Sequence, residues 1–154
     1  MKIIFIRLCL ITIMCFGFSA AGISQDNANC NIGSLPSIVL KPGVVCGNEL
    51  AKAMLDAIAE QIINNPGCKV KISSATDFGK INQQLSWDRV NQVIQYFVEK
   101  KGIREGRFIF NYGVEGDVDV IDFTPTTEDG PSMQPPPFPP LSRLQKIRSG
   151  KCYY

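Results

Sequence analysis

The chain has 154 residues, with 16 basic and 14 acidic side chains, a formal net charge of +2, and no histidine. The balanced charge gives no sign of a nucleic-acid partner. The missing histidine excludes Ser-His-Asp and Cys-His catalysis, His-containing zinc sites and the usual proton shuttle. No nucleophile–base pair can be named, which speaks against an enzyme, and neither metal nor cofactor is expected.

Residues 1–21 open with Lys2 and Arg7, continue as an apolar run from Leu8 to Phe18 and end in small residues. That order describes a secretory signal peptide. Cleavage after Ala21 fits the small-x-small pattern of Ser19 and Ala21, and cleavage after Ser24 fits almost as well. A retained anchor helix is the competing reading, but the run is short for a membrane span. Ile13 and Met14 before Cys15 do not suit a lipoprotein signal.

Residues 22–34 form a polar lead-in. Residues 35–40 (LPSIVL) are the first strand candidate, with Pro36 tolerable near a strand start or on an edge. Asn48 is a fair helix N-cap and Glu49 suits the helix dipole. From there Leu50, Ala51, Met54, Leu55, Ile58 and Ile62 make one apolar stripe, and Asn65-Pro66-Gly67 stops the helix. In residues 68–73, Cys68, Val70 and Ile72 alternate with Lys69, Lys71 and Ser73, which describes a half-buried strand.

A polar loop carrying Asp77 follows. Ser86 is the apparent N-cap of a second helix, with Trp87, Val90, Val93, Ile94, Phe97 and Val98 on its buried face. Arg89 then falls in the first helical turn, beside the buried stripe, where its head can reach over the end of the sheet. Trp87 is either core or a wall of a site, and Gly102 ends the helix in a left-handed conformation. Residues 107–112 (RFIFNY) and 117–124 (DVDVIDFT) are the last two strands, joined by a Gly-rich turn. The element order is β-α-β-α-β-β, an α+β two-layer sandwich with both helices on one face of a mixed sheet.

Beyond residue 125 the tail 126–154 is Pro-dense, extended and in part polyproline II. It is either a spacer or a ligand for a partner groove; residues 141–147 allow a short basic helical turn.

Removing the signal peptide takes Cys9 and Cys15 with it and leaves Cys30, Cys46, Cys68 and Cys152. Four cysteines in an exported chain suggest two disulfides; a four-thiolate zinc site is the alternative, but no C-x-x-C pair exists. The first helix is about 27 Å long at about 1.5 Å per residue, so Cys46 before it and Cys68 after it lie too far apart to pair. If the first two strands are parallel, Cys30 and Cys68 share an edge. The expected bridges are Cys30–Cys68 and Cys46–Cys152.

Taken alone, Asp77 is ordinary turn chemistry and Arg89 an ordinary helix residue. Together with their neighbours they make the series Thr76-Asp77, Asn82, Leu85-Ser86, Arg89, which resembles the OmpA-like peptidoglycan-binding domain of bacterial envelope proteins. The resemblance covers residues 35–125. It implies noncovalent binding of peptidoglycan through the diaminopimelate of the stem peptide, with Asp77 on the ammonium, Arg89 on the carboxylate, and Thr76 and Asn82 lining the pocket. It also implies an exported, periplasmic or outer-membrane-associated protein of a Gram-negative bacterium, tethering an outer-membrane or envelope partner to the cell wall. Ser74 and Ala75 stand where the family usually has Gly-His, and the twelve positions from Asp77 to Arg89 are fewer than usual. The alternative is an OmpA-like scaffold without ligand, acting as a protein-interaction subunit.

Overall fold

A computed structural model of the protein describes residues 30–77 and 79–137. The expected signal peptide, Phe78, the rest of the tail and Cys152 lie outside the described residues, and so does the expected Cys46–Cys152 bridge. Within them the order is β1 (Ile38–Val39), α1 (Glu49–Asn64), β2 (Lys69–Ala75), α2 (Lys80–Gln95), a π-helical turn (Tyr96–Lys100), a 3-10 turn (Glu105–Arg107), β3 (Phe108–Val114) and β4 (Val120–Thr126). The four strands form one mixed sheet in the order β1-β4-β2-β3. β2 and β3 are parallel, while β4 runs antiparallel to both β2 and β1. The α+β sandwich is therefore the architecture found, with two helices packed on the sheet.

Each layer turns its apolar period inward. α1 buries Ala51, Leu55, Ile58, Ala59 and Ile62, and Asn48 caps it by accepting from the Ala51 N–H at 3.0 Å. Leu50, expected on that stripe, is instead 68% exposed: it sits in the first turn, off the face that meets the sheet. Val70, Ile72, Phe108, Phe110, Ile121 and Phe123 supply the sheet side of the core. Phe97 stacks on Phe108 with ring centres 5.3 Å apart. Gly102 ends the helical segment at φ +67°, a conformation that suits glycine.

β1 and β2 point the same way because each is antiparallel to β4, and the expected consequence holds: Cys30 and Cys68 are joined, with Cα atoms 4.7 Å apart. Beside this bridge, the Arg107 guanidinium donates to the carbonyls of Ile62 (3.0 Å), Asn65 (2.7 Å) and Cys68. A fixed cation thus meets the carbonyl end of α1, where the helix dipole favours it.

Residues 129–135 are not a free spacer. The Phe110 N–H donates to the Pro131 carbonyl at 2.7 Å, and the Gln134 amide returns a bond to the Phe110 carbonyl at 2.8 Å. Trp87 Nε1 donates to the Gln134 carbonyl at 2.8 Å, and Tyr112 donates to the Pro135 carbonyl at 3.1 Å. Lys69 pairs with Asp129. Residues 129–135 therefore run parallel to β3 along the open edge of the sheet, which an uncovered strand would offer to other chains. Trp87 belongs to this packing: its ring lies 5.8 Å from that of Phe110, against the core.

Candidate functional site

The C-terminal end of β2 is where the predicted site residues gather. The β2–β4 register pairs Ser74 with Ile121. Because the two strands are antiparallel, the turn before β4 and the loop after β2 share one end of the sheet. The segment after β1 joins them there, because the Leu40 N–H donates to the Asp119 carbonyl at 2.8 Å.

The sheet is irregular at this point. β2 and β3 slip register between Ser74, which faces Tyr112, and Ala75, which faces Val114. Gly113 is the residue skipped, at φ +73°. Its N–H, freed from the ladder, donates to Ser86 Oγ at 3.0 Å, and Ser86 in turn donates to the Ser74 carbonyl. Beyond the slip the Thr76 N–H resumes with the Val114 carbonyl at 2.8 Å. A bulge of this kind re-aims a strand end.

Ser86 is therefore not an N-cap. α2 begins six residues earlier, at Lys80, with Gly79 as the capping residue and no side-chain cap bond. The sequence hid this start because the first turn is polar and its one apolar residue, Ile81, is 52% exposed. Two consequences follow. The free N–H groups of α2 lie next to Asp77 rather than Arg89, and Arg89 sits in the third turn rather than the first.

Asp77 is exposed. Its carboxylate accepts from Asn82 Nδ2 at 2.8 Å and from the Gly79 N–H at 3.1 Å. The Asn82 bond, followed by the Gly79 bond, holds its pKa below the ordinary aspartate value. Asp77 and Asn82 are thus brought together, and Thr76, 1% exposed, is buried just before them. One further polar atom marks this end: Ser74 Oγ, buried, has no hydrogen-bond partner among the described residues. Such orphans are uncommon in native interiors.

Arg89 does reach over the end of the sheet, and it is wholly buried there, at 0% exposure. Its Nε donates to the Val44 carbonyl at 2.8 Å and its Nη1 to the Val118 carbonyl. Nη2 donates to the Lys41 carbonyl at 3.2 Å and to Asp119 Oδ1 at 3.1 Å. So Asp77 and Arg89 occupy the same end of the sheet but hold different partners. Asp77 faces outward on the loop, while Arg89 pins the 41–45 segment and the 118–119 turn to α2. The Asp119 contact was missed in the sequence, where residues 117–124 look like one continuous strand; β4 begins only at Val120, and Asp119 lies in the turn before it. The available signal was an acidic side chain entering the last strand at the end of the sheet that Asp77 leaves.

No family model matches the chain, and no curated protein matches it. Solved structures do. A MotB-like protein of Desulfovibrio vulgaris superposes with a TM-score of 0.51 at 20% identity, over 59% of this chain and 68% of that one. The C-terminal domain of Helicobacter pylori MotB gives 0.50 at 12% identity, over 60% and 85%. A weaker likeness, 0.46 at 15% identity over 56% and 76%, is to the cell wall anchor of the type VI secretion system of Pseudomonas aeruginosa. At these identities the likeness is one of fold, and the chain carries the OmpA-like fold of MotB C-terminal domains.

Proposed function

We propose that this domain binds peptidoglycan noncovalently and without catalysis, through the diaminopimelate of the stem peptide, as an exported module that tethers an envelope partner to the cell wall. The carrying observation is positional. On a MotB-type fold, the Thr76-Asp77 pair leaves β2 at the same end of the sheet that the Arg89 guanidinium reaches. The roles are unequal. Asp77, exposed and held ionised by Asn82 and Gly79, is the first contact for the ligand ammonium, with Asn82 and Thr76 shaping the loop. Arg89 supplies the positive counterpart for the ligand carboxylate from beneath the 41–45 segment.

The second reading, a ligand-free scaffold that works as a protein-interaction subunit, is favoured by the burial of Arg89 among protein acceptors. Co-sedimentation with purified sacculi separates the two. The binding reading expects the wild type to pellet, Asp77→Ala to stay in the supernatant, and both to melt at the same temperature. If the wild type never pellets with sacculi, the scaffold reading takes over.

A further inference from the structure

We propose that the carboxylate of Asp119 is a resident occupant of a carboxylate site on Arg89, and that a ligand carboxylate enters by exchange with it. The inference rests on the reading that this end of the sheet receives the ligand, and it names the step that gives access to a buried arginine.

The guanidinium donates to the backbone carbonyls of Val44, Val118 and Lys41. They cannot leave without moving the chain around them. It also donates to a side chain, that of Asp119. Asp119 Oδ1 stands 3.1 Å from Nη2, and its side chain is 21% exposed while that of Arg89 is 0% exposed. Asp119 is thus a partly exposed side-chain acceptor in this cluster, one that can rotate away without moving the chain.

The backbone of Asp119 is anchored independently of its carboxylate. Its N–H donates to Asp117 Oδ1 at 3.0 Å, and its carbonyl accepts from Leu40 at 2.8 Å. The side chain can swing outward while the β1–β4 ladder stays intact. Exchange of one carboxylate for another conserves the charge balance and the charge-assisted hydrogen bond at Nη2. Simple removal of Asp119 would instead leave a buried cation without its counter-ion, a strongly unfavourable state. A neutral amide cannot make the exchange on equal terms, so the site selects for a carboxylate.

The test is chemical rescue of Asp119→Ala in the full mature chain. In chloride buffer the variant melts below the wild type. Sodium acetate at matched ionic strength raises the melting temperature of the variant in a saturable manner and leaves the wild type unmoved. Acetate that does no more than chloride overturns the proposal. Should Asp119→Ala fail to fold, Asp119→Asn keeps the shape and removes the competing charge. It is expected to pellet with sacculi about tenfold more tightly than the wild type, because the binding-competent state no longer has an internal rival. Equal or weaker pelleting of a wild-type-like fold contradicts the exchange. A wild type that never pellets removes the cell-wall reading alone, and acetate rescue still decides the carboxylate site.

Discussion

The two ends of the sheet are each closed by a buried or half-buried arginine, and they are closed differently. At the end where β2 begins, Arg107 is bound to three backbone carbonyls beside the Cys30–Cys68 bridge. Among the described residues every partner there is main chain or covalent, and the end is a strut. At the opposite end Arg89 holds three backbone carbonyls as well, but adds the partly exposed carboxylate of Asp119. Around it lie an exposed aspartate, a register slip at Gly113 and the orphaned Ser74 Oγ. The comparison teaches that burying an arginine does not by itself separate structure from function. What distinguishes the two ends is whether any partner can be replaced.

The comparison can be broken by substitution. The largest effect is expected at Arg89. Arg89→Ala leaves Asp119 without its cation and strips the guanidinium bonds from the Val44, Val118 and Lys41 carbonyls, which should cost about 3–5 kcal/mol by denaturant unfolding. Removing the bridge with Cys30→Ser and Cys68→Ser frees a 38-residue separation and is expected to cost about 2–4 kcal/mol. Arg107→Ala strips donors from the end of α1, where the Ile62 and Asn65 carbonyls keep the N–H groups of Asn65 and Cys68, and should cost about 1–3 kcal/mol. If Arg107→Ala proves as costly as Arg89→Ala, the distinction between the ends loses its energetic basis.

The smallest effect sharpens the comparison without touching the core. Asp77 has its pKa lowered, chiefly by Asn82. A depressed folded pKa keeps the carboxylate ionised above the unfolded value near about 4, and ionisation is lost only as pH falls through the lower folded value. Asn82→Ala should move the Asp77 titration, followed by carboxyl NMR, upward toward the ordinary range. Global stability should hardly change, because the group is exposed.

Much of this architecture was legible from periodicity. The α1 stripe, the alternation through β2 and the turn at Gly102 all follow from local patterns that tertiary contacts reinforced. The Cys30–Cys68 bridge was legible too, because strand direction alone places both residues at one edge. Other features depend on distant partners and left no local trace. Ser86 looked like a cap because serine before an apolar run usually is one. Here it bridges Gly113 and Ser74, 27 and 12 residues away. The docking of residues 129–135 on β3 was hidden because prolines suggest a spacer, although carbonyls before and within a Pro-rich run still accept hydrogen bonds. The acceptors of Arg89 are mostly main-chain carbonyls, which carry no residue signature at all.

The most direct measurement is an amide and arginine side-chain NMR titration of the mature chain with free diaminopimelate. The account predicts saturable shifts at Thr76, Asp77, Asn82, Asp119 and the Arg89 Nε–H, with the Arg107 end silent. Shifts confined to the Arg107 end, or none up to ligand solubility, would contradict it.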